Sequence, residues 1–336
     1  MIRFLAPLVV FCLALSFPAA ADTRAVYTIT DIRVDEQAPS VIEAQQQALS
    51  NARRIGAQRL IEKITLASDR MAAGGVYIDA PAAERLIAAV DVQEETRGGG
   101  RYRGVLSVVG NPRTVRAWLE ERDIPYLDRQ APKAMIAPIG NGTDDMAWSA
   151  AWPEEAKGQL APYVTAMTGA YGESAEYVDL RDEMLALGAE RGVLAKLMGS
   201  QGNYSVRLTL VTGAGRLPLG QTSRAPTLAD AVADAEALLS ETWKKDSIVR
   251  SDTRSVVEAS VLYTSIAEWN TLRSALARSP LVSDFQTEAV SRDGALVRFA
   301  FAGDNQRLER DLRQRGVALD ADPAGWVLTS AISRVP

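Results

Sequence analysis

Apolar residues recur along the chain with two periods, and the switches between them mark its elements. Over residues 25–34 the side chains alternate: Val26, Thr28 and Thr30 against Tyr27, Ile29 and Ile32. That alternation predicts a strand. After the breaker DEQAPS the period becomes helical. Val41, Ala44, Ala48, Ala52, Ile55, Leu60 and Ile64 form one stripe, predicting a helix over about 41–66 with Ser40 as its cap. The small residues of that stripe let the helix lie close to a sheet. A shorter helix is expected from Pro81 to about Val90, a hairpin over 92–110 bending at Gly98, Gly99 and Gly100, and a helix from Asn111-Pro112 to about Glu121. The order β-α-α-β-β-α makes one α+β unit that ends near Pro125.

The next stretch alternates strand and helix. AMIAPIG (134–140) reads as a short buried strand and NGTDD as a turn. The segment MAWSAAWPEEAKGQLAPYVTAM is expected to be helical in part, broken at Pro153 and Pro162. Residues 179–199 read as a helix with interruptions at Gly188 and Gly192. Residues 203–213 read as a strand, AGRLPLGQTSR as a connection or second strand, and residues 227–243 as an amphipathic helix with Leu228, Ala231, Val232, Ala235, Leu238 and Leu239 on one face.

The last third has the clearest pattern. Strand 255–263, helix 265–279 with Ile266, Trp269, Leu272 and Leu276 on one face, two strands joined through Arg292-Asp293-Gly294, a helix between Asp304 and Gly316, and a closing strand GWVLTSAI follow in turn. The order β-α-β-β-α-β is ferredoxin-like. The fold class expected is therefore α+β, with three small α/β sandwich-type domains over 22–126, 130–250 and 253–333, the last of them ferredoxin-like.

Residues 1–21 follow a different rule. Arg3 precedes the apolar stretch FLAPLVVFCLALSF, and Ala19 and Ala21 occupy the small positions of an A-x-A site. This is the pattern of a secretory signal peptide cleaved after Ala21. The run of about 14 residues is shorter than the roughly 20 a spanning helix needs. A periplasmic location follows as the expectation. Cys12, the single cysteine, lies inside that run and not at the cleavage site, so a mature chain would carry no thiol and no disulfide.

Charge and composition narrow the chemistry. The net charge of −5 moves to −6 without Arg3, which speaks against nucleic acid as a general partner. The chain has no histidine. Ser-His-Asp and Cys-His catalysis and imidazole or thiolate metal sites are thereby excluded, leaving carboxylate or lysine chemistry, oxygen-ligand metals, or binding. No catalytic residue, metal ligand or cofactor is assigned.

Several local patterns invite a functional reading beside a plainer one. Val297, Phe299 and Phe301 look superficially like the stacking strand of an RNA-recognition domain, but burial against the helices of Trp269 and Leu308 is the simpler assignment. In RGGGRYRG, Arg97, Arg101 and Arg103 surround a glycine turn and could grip an acidic partner; the plainer reading is solvated arginines on a hairpin. Asp144 and Asp145 lack the spacing of a calcium loop and read as a helix cap. The glycines of GAGRLPLG match neither dinucleotide nor P-loop motifs. Asn141-Gly-Thr and Asn203-Tyr-Ser fit the glycosylation pattern. Trp148 and Trp152, four apart, would share a helical face as a partner-binding pair or as packing.

The leader, followed by VYTITDIRVDEQAPSVIEAQQQALSNARRIGAQRLIEKIT, the strand–turn–tryptophan segment at 134–152, and the closing SVVEASVLYTSIAEWNTLRSALARSPLVSDFQTEAV with its hairpin partner, resembles the DUF2066 family of bacterial exported proteins. The resemblance implies an envelope protein and supplies no catalytic residue. The expected function is a periplasmic, non-enzymatic binding or scaffolding protein whose partner is another cell-envelope protein. The alternative is a carboxylate-dependent hydrolase acting on envelope glycans, which needs two facing carboxyls about 5–10 Å apart. The adjacent pairs Asp144/Asp145 and Asp182/Glu183 do not supply that by sequence alone.

Overall fold

Alternation and helical stripes resolve into three sheets with helices laid on them in the computed structural model, which describes residues 24–142, 144–167, 171–248, 254–322 and 325–331. The leader read over residues 1–21, with Cys12 and the cleavage after Ala21, lies outside the described residues, as does Thr143 of the first glycosylation pattern. No described helix is long and apolar enough to cross a membrane.

The first sheet holds β1 (Thr28–Gln37), β2 (Ile87–Gly98) and β3 (Arg101–Gly110) in the antiparallel order β1-β3-β2. Helix α1 (Val41–Ile64) crosses it, capped by the Ser40 hydroxyl, which accepts from the Glu43 amide. Its buried face is Ala44, Ala48, Ala52, Gly56, Leu60 and Ile64. A Cβ at Gly56 would stand 2.2 Å from Val108 Cγ2, so helix and sheet meet as closely as backbone allows. Short helices α2 (Ala67–Ala72), α3 (Ala80–Leu86) and α4 (Pro112–Glu120) complete this part. The second helix therefore stops at Leu86, and the hairpin begins five residues before the predicted position 92. Gly99 and Gly100 turn it, both at positive φ, as a two-residue hairpin turn with right-handed strands requires.

The second sheet is mixed. Strands β4 (Ala134–Ile139), β5 (Glu155–Ala156), β6 (Tyr163–Thr165), β7 (Arg191–Ser200), β8 (Asn203–Thr212) and β9 (Gly215–Gln221) stand in the order β5-β6-β4-β7-β8-β9. Strand β4 runs parallel to both neighbours, and all six of its residues are buried. Continuous apolar character is what a parallel strand covered on both faces shows. Helices α5 (Asp145–Ala151), α6 (Tyr177–Ala186) and α7 (Leu228–Ser247) cover it. The long helix expected over 179–199 is corrected: it ends at Ala186, and Arg191 opens a strand. Gly188 sits at φ 64°, the left-handed stop a helix C-terminus favours. Gly192 gives the new strand room, since a Cβ there would meet Leu180 Cδ1 at 2.7 Å.

The third sheet contains β10 (Arg254–Leu262), β11 (Val282–Val290), β12 (Gly294–Ala302), β13 (Val317–Asp322) and β14 (Gly325–Ser330), ordered β11-β12-β10-β14-β13. With α8 (Ile266–Arg278) and α9 (Asn305–Gln314) its elements run β-α-β-β-α-β-β, a βαββαβ-like order with one strand more, and β14 runs parallel to β10. The added edge strand β13 was not predicted. Val297, Phe299 and Phe301 are buried in a core shared with Trp269 and Leu308, the packing expected of them.

One apolar cluster running from Val26 to Ile248 is shared by the first and second sheets, a separate one around Met135, Leu180 and Met184 lies where α6 covers the second sheet, and the third sheet closes around its own. Polar contacts fasten the third sheet to the rest. Arg191, buried, donates to Pro132 O at 2.9 Å and to Gln314 Oε1 at 3.1 Å. Gln314 donates to Asp246, and Arg307 donates to the carbonyls of Asp246 and Ile248. The guanidinium groups of Arg191 and Arg315 both lie over the Trp243 ring, 5.9 and 5.2 Å from its centre.

Candidate functional site

A cleft of about 1010 Å³ opens where β1, α1 and α7 meet the loop around β5. Such junctions between packed units are where concave binding sites concentrate. The edge strand β1 contributes Thr28, Ile29, Thr30 and Asp31. A bulge lies between Ile29 and Ile32, and Asp31 sits at φ 57°. The bulge explains why Ile29 and Ile32, three apart, both face the core: it flips the alternation and turns Thr30 and Asp31 outward into the cleft. Helix α1 brings Arg59 and Lys63, one turn apart. Helix α7 brings Ser240, Glu241 and Lys244.

The two lysines are the unusual groups. Lys63 Nζ donates to Ala25 O at 3.0 Å, Thr28 O at 3.2 Å and Gly158 O at 2.8 Å. Burial lowers its pKa to about 8, with no carboxylate against it among the described residues. Lys244, 7% exposed, donates to Thr65 O at 2.7 Å and Glu62 O at 3.2 Å and pairs with Glu241 at 3.2 Å. Burial lowers its pKa too, and Glu241 opposes the shift. Each ammonium has three protons, and each spends all three on these acceptors. Lys244 caps the last carbonyls of α1, and Lys63 ties that helix to β1 and the Gly158 turn. Both hold the walls of the cleft together, and neither offers a lone pair to a substrate while so engaged.

Behind the α7 wall, Tyr163 donates to Glu236 Oε1 at 2.6 Å. Burial raises both the Tyr163 phenol and the Glu236 carboxyl above their usual ranges. At the surface, Arg24 and Arg59 line the cleft exposed to solvent and make no side-chain hydrogen bond or ion pair among the described residues. Lys157 is 81% exposed and shares Glu155 with Lys133.

The residues singled out by sequence lie elsewhere. Arg97, Arg101 and Arg103 line the β2–β3 hairpin, away from the cleft. Arg101 makes two contacts of 2.6 Å to Asp35, Arg103 reaches the same carboxylate at 3.3 Å, and Arg97 pairs with Glu95 at 2.8 Å. The hydrogen bond from Arg101 holds the Asp35 carboxyl below the usual carboxylate range. Trp148 is fully buried and donates through Nε1 to Ala195 O at 3.0 Å. Trp152, 5% exposed, meets Trp148 and Tyr163 edge-on at 5.3 and 5.6 Å. The pair is packed in the core shared by the first and second sheets. Asp145 accepts from the Gly142 amide, and Asp144 from Tyr204. Among the described residues no three acidic, histidine or cysteine side chains cluster as metal ligands would. A second, shallow hollow of about 270 Å³ lies on the outer face of the third sheet, among Leu262, Val290 and Leu296.

Sequence reasoning missed Lys63, Lys244, Arg24, Arg59 and Asp31. The one signal available was position: Lys63 and Lys244 fall in the last turns of long helices, where a cation meets unpaired carbonyls. Their burial arises only when two separate units dock. Compared with models of known protein families the chain matches none, and no curated protein matches it.

Proposed function

We propose that this is a non-enzymatic binding or scaffolding protein of the bacterial cell envelope, exported to the periplasm, with another envelope protein as its partner. The observation that carries the reading is the division of labour in the cleft: its buried cations are saturated by wall groups, while Arg24 and Arg59 at its surface have no side-chain partner among the described residues. A site that turned over substrate would need an acid, base or nucleophile left available at its floor. The leader pattern and the resemblance to an exported family support the compartment. The edges support a concave docking site over strand addition. Four of the six edge strands, β1, β2, β9 and β11, carry bulges or register shifts, and β9 also carries Pro218. Such features discourage an incoming strand.

The test uses the full chain, tagged at its C-terminus and expressed in a Gram-negative host. Cross-linking followed by purification from periplasmic and membrane fractions should return one envelope protein in stoichiometric amount. The same preparation, given peptidoglycan and other envelope glycans, should release no product. Reproducible glycan turnover that survives further purification would reverse the reading in favour of the carboxylate hydrolase.

A further inference from the structure

We propose that the cleft between β1, α1 and α7 recognises an extended acidic segment of a protein partner, with Arg24 and Arg59 as the carboxylate-binding groups. This deepens the binding reading above and rests on it. The chain as a whole is acidic, at −5, yet the cleft is lined by Arg24, Arg59, Lys63, Lys157 and Lys244 against Asp31, Glu155 and Glu241. A local surplus of positive charge inside a negative molecule focuses the field on that cleft. The hairpin arginines differ in kind, because Arg97, Arg101 and Arg103 already have carboxylates. Among the described residues Arg24 and Arg59 have none, and each presents a planar fork suited to a carboxylate.

The remaining lining distinguishes a peptide from a small anion. Asp31 and Glu241 would repel inorganic phosphate, which is anionic throughout and carries no main-chain N–H groups to offset them. A peptide brings main-chain N–H groups alongside its carboxylates, and Asp31, held outward by the bulge, accepts from the Thr30 hydroxyl at 2.7 Å and keeps further lone pairs for them. The volume of about 1010 Å³ reaches the upper end of small-ligand pockets and suits several residues of extended chain. Lys63 and Lys244 tie the walls to one another through main-chain carbonyls.

The probe is a fluorescein-labelled Glu-rich peptide with glycine spacers, with its Gln counterpart as the neutral control, followed by fluorescence anisotropy on the full chain. The Glu peptide should bind and the Gln peptide should not. Binding should weaken as salt rises from about 0.05 to about 0.2 M. Arg24→Glu and Arg59→Glu should each weaken binding about tenfold, and together roughly a hundredfold. The charge-matched variant Arg273→Glu, on the exposed face of α8, should leave it unchanged. The double variant should instead take a Lys-rich peptide, a swap no mere loss of folding would produce. Equal binding of Glu and Gln peptides, no binding of either, indifference to both arginine variants, or displacement by inorganic phosphate at the concentration of peptide would each overturn the proposal. If the double variant still captures the same envelope protein, the scaffolding reading stands and only this assignment of its surface falls.

Discussion

Lys63 makes the sharpest quantitative test of how the first two sheets are joined. Its pKa falls from 10.5 to about 8 because burial strips water from the ammonium and no carboxylate replaces it. The unfolded chain keeps the ordinary value. Between those two pH values the unfolded chain still holds a proton that the folded chain has released. The unfolded state then binds more protons, so this group makes stability rise with pH across that window and leaves it flat below about pH 8. The full gap corresponds to about 3 kcal/mol, and water reaching the half-buried stem reduces the usable part to about 2 kcal/mol. Tyrosines limit the upper end. Burial holds Tyr27 and Tyr163 protonated above their usual range, so the unfolded chain loses those protons first and stability falls above about pH 10. The assay is urea denaturation of wild type and Lys63→Met at steps from about pH 7.5 to about pH 10. The difference between them should shift by about 2 kcal/mol in favour of wild type as pH rises. Lysine labelled at ¹³Cε supplies a direct check: the resonance absent from Lys63→Met should titrate near pH 8. A resonance titrating at the ordinary lysine value, or a pH-independent stability difference, would refute the burial argument.

Three further outcomes follow from packing. Gly140→Ala would drive a methyl to 1.9 Å from Asp145 Oδ1 and 2.6 Å from its Cα, so stability should drop by about 1–3 kcal/mol, read as a lowered thermal midpoint. Asp311→Ala removes a fully buried carboxylate that accepts from Ser279 at 2.6 Å and holds Arg315 at 3.1 Å; the stranded guanidinium should cost about 3–5 kcal/mol in urea unfolding, and a loss below about 1 kcal/mol would show that the network is not buried as described. Phe299→Ala should cost about 3–5 kcal/mol by the same measurement, because its ring is fully buried in the third sheet's core.

Elements with one wet and one dry face were legible. The alternation on β10 and β12 and the alanine stripe on α1 carried their own geometry, and Ser40 and Asp304 marked helix starts that the structure reproduces. The run opening β7 was not legible, because a strand covered on both faces loses the alternation that would separate it from a helix. Strands β5 and β6, two and three residues long, fall below any period. The cleft was invisible for a different reason. Lys63 contacts Gly158, and Lys244 on α7 contacts Thr65, pairs separated by 95 and 179 residues, and no local pattern encodes such meetings. Arg97, Arg101 and Arg103 stood out because they are close in sequence, while Arg24 and Arg59, far apart in the chain, line the same surface.

The unbroken apolar interior beneath the first two sheets bears on how such a gene can be rearranged. A fragment ending near residue 126 would enter solution with a raw greasy flank and precipitate, whereas a break near residue 253 would divide no apolar cluster and sever mainly the polar contacts of Arg191, Arg307 and Gln314. Recombination should therefore trade the tail freely and pass on the leading pair only as an inseparable cassette.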